Sequence, residues 1–248
     1  MGDGPSLLLL PGFAAGHAAW SPFLGALRSQ FRLILVDLPG VGASAHVPPA
    51  GGLDAGTSML IDVLDHLETP RVAVLGASLG GLAGLVLARA RPERVSRIVT
   101  AGSMAHLNAD ARIRLRRRLD LLRTVGRDAF AESMVRELVS DDFARAHPRM
   151  VAAVVHAYAL GLPPAENIEA IGRVVERIDF RSRLGEVAAP ALVLHGDRDG
   201  LVTGAQAAAL AEALPRGTLR VFAGAGHHVL LERRRESLAA IAGFLFET

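Results

Sequence analysis

Ser78 sits in Gly76-Ala77-Ser78-Leu79-Gly80, directly after the apolar run ending at Leu75 and before Leu82, Ala83, Val86, Leu87 and Ala90, which recur at helical spacing. A serine held at a sharp strand-to-helix turn is exposed at the end of its strand. There it could act as a nucleophile, beside the backbone N–H of Leu79 and the positive end of the following helix. The competing reading is a glycine-rich turn in a chain with 26 glycines, with Ser78 as an ordinary helix N-cap. A hydroxyl is a weak nucleophile near neutral pH, so it needs an adjacent base, and the base needs an orienting carboxylate. Two late segments offer them: His195-Gly196-Asp197-Arg198-Asp199-Gly200-Leu201-Val202 and Ala223-Gly224-Ala225-Gly226-His227-His228. Asp197 competes with Asp199 for the acid, and His228 with His227 for the base. The losers are expected to be solvated loop residues. His17 and His195 read as loop or core histidines, and no His-Glu-x-x-His or comparable spacing points to a metal.

For these groups to meet, the elements must bring them to one rim. Apolar runs over 7–10, 31–36, 72–75, 97–101, 190–194 and 218–222 predict six strands. Helical patterns fall between them, with one starting at Ser21-Pro22 (N-cap and first residue) and others over 55–68, 205–214 and 236–246. Near-continuous apolar strands alternating with helices predict a parallel sheet covered on both faces, whose ligands gather at the strands' carboxyl ends. From about residue 103 to 183 the alternation gives way to arginine-rich amphipathic helices, over 111–127, 130–139, 148–160 and 168–178. A break of that length reads as an inserted helical cap. The expected organisation is a core of residues 1–103 and 181–248 with a cap over 104–180.

With this pattern assembled, the chain resembles the α/β-hydrolase superfamily. The likeness rests on the order Ser, Asp, His, on Leu10-Pro11-Gly12-Phe13, on Val36-Asp37-Leu38-Pro39-Gly40-Val41-Gly42-Ala43-Ser44, on the elbow and on both late loops. It implies an α/β-hydrolase fold with Ser78 as nucleophile, Asp199 as acid and His227 as base, and with the Phe13 and Leu79 N–H groups as oxyanion donors. Many members carry His-Gly where this chain has Pro11-Gly12, and a sheet of six strands, without the superfamily's usual first two antiparallel strands, is expected here. Within the superfamily, Asp37-Leu38-Pro39-Gly40, Asp179-Phe180-Arg181 and Asp199-Gly200-Leu201-Val202 are similar to the pimeloyl-carrier-protein methyl ester carboxylesterases. They are also similar to small-ester and enol-lactone hydrolases. The expected function is carboxylic-ester hydrolysis through an acyl-enzyme. Lactone or carbon–carbon hydrolysis, a non-hydrolytic cyclisation, and a non-catalytic binding module on the same scaffold are the alternatives. Trp20, Met104, Phe130, Met134 and Tyr158 are candidates for an apolar acyl pocket, against ordinary packing.

Composition narrows the chemistry further. The 248 residues contain no cysteine and no lysine, so there is no thiol nucleophile, disulfide or Schiff-base lysine. All 27 basic residues are arginine, which explains the pI near 10.2 at a net charge of only +2 and removes the case for nucleic-acid binding. Gly40-Val41-Gly42-Ala43-Ser44-Ala45 fits a dinucleotide fingerprint literally. However, Pro39 precedes it, Val47-Pro48-Pro49 follows, and no helical pattern opens after it, so no cofactor is expected. The first residues lack a secretory signal and no apolar run spans a bilayer, which leads to an expectation of a soluble cytoplasmic protein without membrane contact. The expected ligand is a small or carrier-bound acyl ester. Arg112, Arg116, Arg123 and Arg127 on the cap have two readings: docking of an acidic carrier protein, or a solvated face with Arg116 near Asp120.

Overall fold

The computed structural model describes residues 1–46 and 51–246; Val47-Pro48-Pro49 lies outside them. Six strands form one parallel sheet: β1 (Ser6–Leu10), β2 (Arg32–Leu35), β3 (Val72–Ala77), β4 (Val95–Ala101), β5 (Ala191–Gly196) and β6 (Gly217–Phe222), in the order β2-β1-β3-β4-β5-β6. The runs read from sequence are these strands, offset by one to two residues. Leu10 pairs with Gly76, Gly76 with Thr100 and Ala101 with Leu194, so the carboxyl ends of β1, β3, β4 and β5 share one rim.

Each face of the sheet has its own apolar cover. On one side α2 (Gly52–His66), α3 (Leu79–Ala90) and α9 (Gly204–Ala213) bury Leu60, Leu64, Leu85, Leu87 and Leu210 against Leu8, Val74, Ile98 and Val193. On the other, α1 (Ser21–Leu27) and α11 (Arg234–Phe246) bury Phe23, Leu27 and Ile241 against Leu7, Leu9, Leu75 and Val99. Each such side chain removed from water contributes about 1.5–3 kcal/mol. The inner strands are apolar on both faces because both faces are covered, whereas on the edge strand β6 Thr218, Arg220 and Val221 stay exposed.

Between β4 and β5 the chain makes five helices: α4 (Ala109–Thr124), α5 (Arg127–Leu138), α6 (Asp141–Ala146), α7 (Pro148–Gly161) and α8 (Ala165–Arg177). They enclose a third apolar cluster that includes Leu115, Leu119, Leu122, Phe130 and Ile168, together with Ala14 from the loop after β1. The helix predicted over 111–127 ends earlier, because Gly126 takes φ 113°, a conformation open to glycine that lets α5 start in a new direction. Ser21 is not the cap of α1. A 3₁₀ turn over His17–Trp20 runs into the helix, Trp20 holds the cap position, and no side chain caps it. A short α10 (Val229–Glu232) lies between β6 and α11.

Candidate active site

The strand-to-helix turn after β3 has the strain its sequence implied. Ser78 takes φ 50° and ψ −116°, a conformation that costs ~1–3 kcal/mol outside glycine. Its flanks must be glycine: a Cβ on Gly76 would lie 2.4 Å from Gly80 O, and one on Gly80 would lie 2.1 Å from Leu10 O. The Ser78 N–H donates to Ala101 O at 2.8 Å, and buried Ser103 donates from Oγ to Ser78 O at 2.8 Å. Two neighbours thus hold the strained peptide from β4 and its end.

His227 stands across from it. Its Nε2 is 3.0 Å from Ser78 Oγ, and its Nδ1 is 2.8 Å from Asp199 Oδ2. The other Asp199 oxygen accepts from the N–H groups of Leu201 at 2.8 Å and Val202 at 2.9 Å. Burial pushes the Asp199 carboxyl up, but the His227 charge and hydrogen bond, with these two N–H donors, outweigh burial and hold it below the ordinary carboxylate value. The acid is therefore ionised, and a carboxylate at Nδ1 leaves Nε2 free to take a proton from the serine.

The rivals have other partners. Asp197 accepts from Gly224 N at 2.6 Å and fastens the turn after β6. His228 is not the solvated residue expected; it lines the cavity wall, and burial lowers its pKa to about 4. His195 is buried in β5 and lies 3.8 Å from Asp199. His17 is half exposed, and Asp37 accepts from its Nδ1 at 2.9 Å and its N–H at 2.6 Å. The same carboxylate accepts from Ala43 N at 2.8 Å, so the loops after β1 and β2 are tied together. The literal dinucleotide fingerprint is thus a carboxylate-braced turn. It is clamped from α8 by Asn167 Nδ2, which donates to Gly40 O and Ala45 O.

Phe13 and Leu79 both line the cavity above Ser78. Among the described residues, neither backbone N–H donates a hydrogen bond. The Phe13 loop is held in place: Gly12 packs against the elbow, Ala14 takes a left-handed φ of 51°, and Tyr158 in α7 donates from its hydroxyl to Phe13 O at 2.9 Å. Burial raises the pKa of that phenol, so it stays a donor.

The cavity measures about 610 Å³, within the usual span for a small-molecule site. Of the candidate pocket residues, Trp20, Met104, Met134 and Tyr158 line it. Phe130 does not: it is fully buried in the cluster between the helices, because its position on α5 turns it away from the cavity. Arg116 also departs from expectation. It pairs with Glu176 of α8, while Asp120 takes Arg123, so the bond crosses between helices instead of climbing one helix. Arg112 donates to Glu176 O, Arg123 also reaches Glu169, and Arg127 donates to Leu162 O and Pro163 O.

Ser103, Glu232 and Arg118 belong to the site's frame and escaped the sequence reading, as did the anchoring role of Tyr158. Glu232, buried at 8% exposure, accepts from Gly226 N at 2.9 Å, Ser140 N at 3.1 Å and Ser140 Oγ at 2.6 Å, which fastens the His227 loop to the segment after α5. Arg118, 7% exposed, lines the cavity. It had a readable signal, since it follows Leu115 by three residues and precedes Leu122 by four, on the edge of the apolar stripe.

A parallel sheet with a strained serine, an imidazole and a buried carboxylate in line at its carboxyl rim defines a class, and comparison with known sequences agrees. A family model described as alpha/beta hydrolase fold matches residues 5–234, and the chain belongs to that family of hydrolases. Among curated relatives it is 34% identical over 233 residues to "Putative carbamate hydrolase RutD" of Variovorax paradoxus (strain S110), covering 91% of this chain and 85% of that one. It is 30% identical over 249 residues to the pimeloyl-[acyl-carrier protein] methyl ester esterase of Photobacterium profundum, covering 98% and 96%. The enol-lactonase from Burkholderia xenovorans LB400 superposes with a TM-score of 0.87 at 24% identity, over 99% of this chain and 93% of that one, a likeness of fold. The expected likenesses to the methyl ester esterases and to an enol-lactonase are thus both found. Among the described residues no helix is long and apolar enough to cross a membrane.

Proposed function

We propose that the protein is a cytoplasmic carboxylic-ester hydrolase that works through an acyl-enzyme on Ser78. The observation that carries this reading is the unbroken line from Ser78 Oγ to His227 Nε2 at 3.0 Å and from His227 Nδ1 to Asp199 at 2.8 Å. Ser78 Oγ attacks the ester carbonyl carbon while its proton passes to His227 Nε2. The Phe13 and Leu79 N–H groups receive the oxyanion, each such donor worth ~2.7–4 kcal/mol on the chemical step. The intermediate collapses, and the leaving alkoxide takes the proton from His227 as alcohol. Water then attacks the acyl carbonyl, gives a proton to His227 and frees the acid, and the proton returns to Ser78.

The helices over 104–180 serve in this reading as a cap that roofs the cavity and excludes water. The substrate is a small or carrier-bound acyl ester, a class supported by the methyl ester esterase relative. Docking of an acidic carrier on the cap arginines has less support, because Arg112, Arg116, Arg123 and Arg127 all hold acceptors within the chain. The test is turnover of p-nitrophenyl esters by the wild type and by Ser78→Ala. Loss of about 10⁶-fold is expected, and a variant that keeps most of its activity would sink the proposal.

A further inference from the structure

Arg118 lies in the wall of the same cavity on α4, with only 7% of its surface exposed. Burying a guanidinium is expensive unless every donor is used and the charge is balanced. Neither condition is met here. Its Nη2 pairs with Glu137 at 3.0 Å, but the same carboxylate oxygen is shared with Arg114 at 3.5 Å. The group of two guanidiniums and one carboxylate therefore keeps one net positive charge. Its Nη1 faces only the sulfur of Met134, a weak acceptor, and its Nε has no partner among the described residues. The rest of the cavity is largely apolar, so the surplus cation stands in its wall with a buried N–H that has no acceptor among the described residues.

We propose that Arg118 forms an anion subsite in this cavity. It would select acyl groups that carry a second, ionised carboxylate remote from the scissile ester, that is, half-esters of dicarboxylic acids. A carboxylate is the complement of a guanidinium edge that offers Nε and a neighbouring Nη. The inference rests on the reading of Ser78 as the acylated residue at the other part of the cavity, and it adds the substrate's charge to that reading.

The experiment compares kcat/KM for monomethyl esters of straight-chain dicarboxylic acids with that for methyl esters of the monocarboxylic acids of equal chain length. Wild type is expected to favour the half-ester by ~10- to 100-fold at its best length, the range for a hydrogen bond to a charged group. Arg118→Met should collapse that ratio and Arg118→Lys should retain part of it. A second measurement needs no turnover: the free dicarboxylic acids should raise the melting temperature of the Ser78→Ala protein more than the matched monocarboxylic acids do. Equal kcat/KM for the two ester series at every length would overturn the inference, as would a preference that survives in Arg118→Met. If no ester is hydrolysed yet the dicarboxylic acids still stabilise the protein through Arg118, the esterase reading fails and the subsite stands. If esters are hydrolysed without regard to the second charge, the reverse holds.

Discussion

Replacing Glu232 by alanine removes a carboxylate that three buried donors share: Gly226 N–H at 2.9 Å, Ser140 N–H at 3.1 Å and Ser140 Oγ at 2.6 Å. Side-chain movement cannot supply new acceptors to the two backbone groups, because Gly226 is packed so closely against Ser140 N and Val139 C that a Cβ there would approach them within 2.5 and 2.8 Å. Each donor left buried and unmatched costs about 1–3 kcal/mol. Allowing the Ser140 hydroxyl to rotate away and a water to reach one amide, the loss comes to roughly 3 kcal/mol, a large part of the ~5–15 kcal/mol typical of a folded domain. For a chain of this size that corresponds to a fall of about 6–12 °C in melting temperature. Urea denaturation of wild type and Glu232→Ala measures it directly, with Glu232→Gln as the milder case, since its amide oxygen still accepts. Turnover should fall as well, because Gly226 precedes His227 and its anchor sets where the imidazole sits. A variant within about 0.5 kcal/mol of wild type, the range of an inert surface change, would show that the three bonds do not brace this loop.

Two further outcomes are expected. Tyr158→Phe should lower kcat about tenfold with little change in KM, a loss near one hydrogen bond, because the Phe13 loop loses its tie to α7; equal kcat values would refute the coupling. His228 ordinarily titrates near 6.5 but is held to about 4 by burial, so between these values the unfolded chain takes up a proton that the folded chain refuses. Stability from this group is therefore present above pH 6.5 and drains away as pH falls toward 4. Relative to wild type, the urea midpoint of His228→Gln should improve across that window, and a gap that stays constant with pH would contradict the burial argument.

The parts of the fold that were readable in the sequence are those written locally. Six apolar runs, the helical spacing after Ser78 and the glycines that crowd the elbow each carry their meaning within a few residues. The joining of Ser78, Asp199 and His227 was legible only because a parallel sheet sends strand ends to one rim, which turns distant loops into neighbours. What lay beyond reach was pairing across helices. Arg116 has Asp120 one turn along its own helix, yet Glu176 of α8 is the partner, and nothing in the periodicity of α4 names α8. Phe130 looked like a pocket aromatic because composition reveals size but not the direction in which a helix turns it. His228 looked solvated because a loop position does not reveal what packs over it.

The strands that bracket the five helices are immediate neighbours, with Ala101 beside Leu194. The chain thus departs at the carboxyl end of β4 and rejoins at the amino end of the adjacent strand, where Ala191 sits beside Ile98, after an excursion of nearly ninety residues. Each doubling of the length of such a connection costs only about 0.6 kcal/mol of closure entropy, although Phe180, Leu184 and Val187 at its end belong to the sheet's own core. Ser78, Asp199 and His227 all belong to the invariant side of this junction, whereas Arg118, Met134 and Tyr158 belong to the excursion. A grafted set of helices that keeps Ser103, Ser140 and Tyr158, which tie this segment to Ser78, Glu232 and Phe13, could then exchange what the cavity admits, which makes the β4–β5 junction the natural seam for building chimaeras.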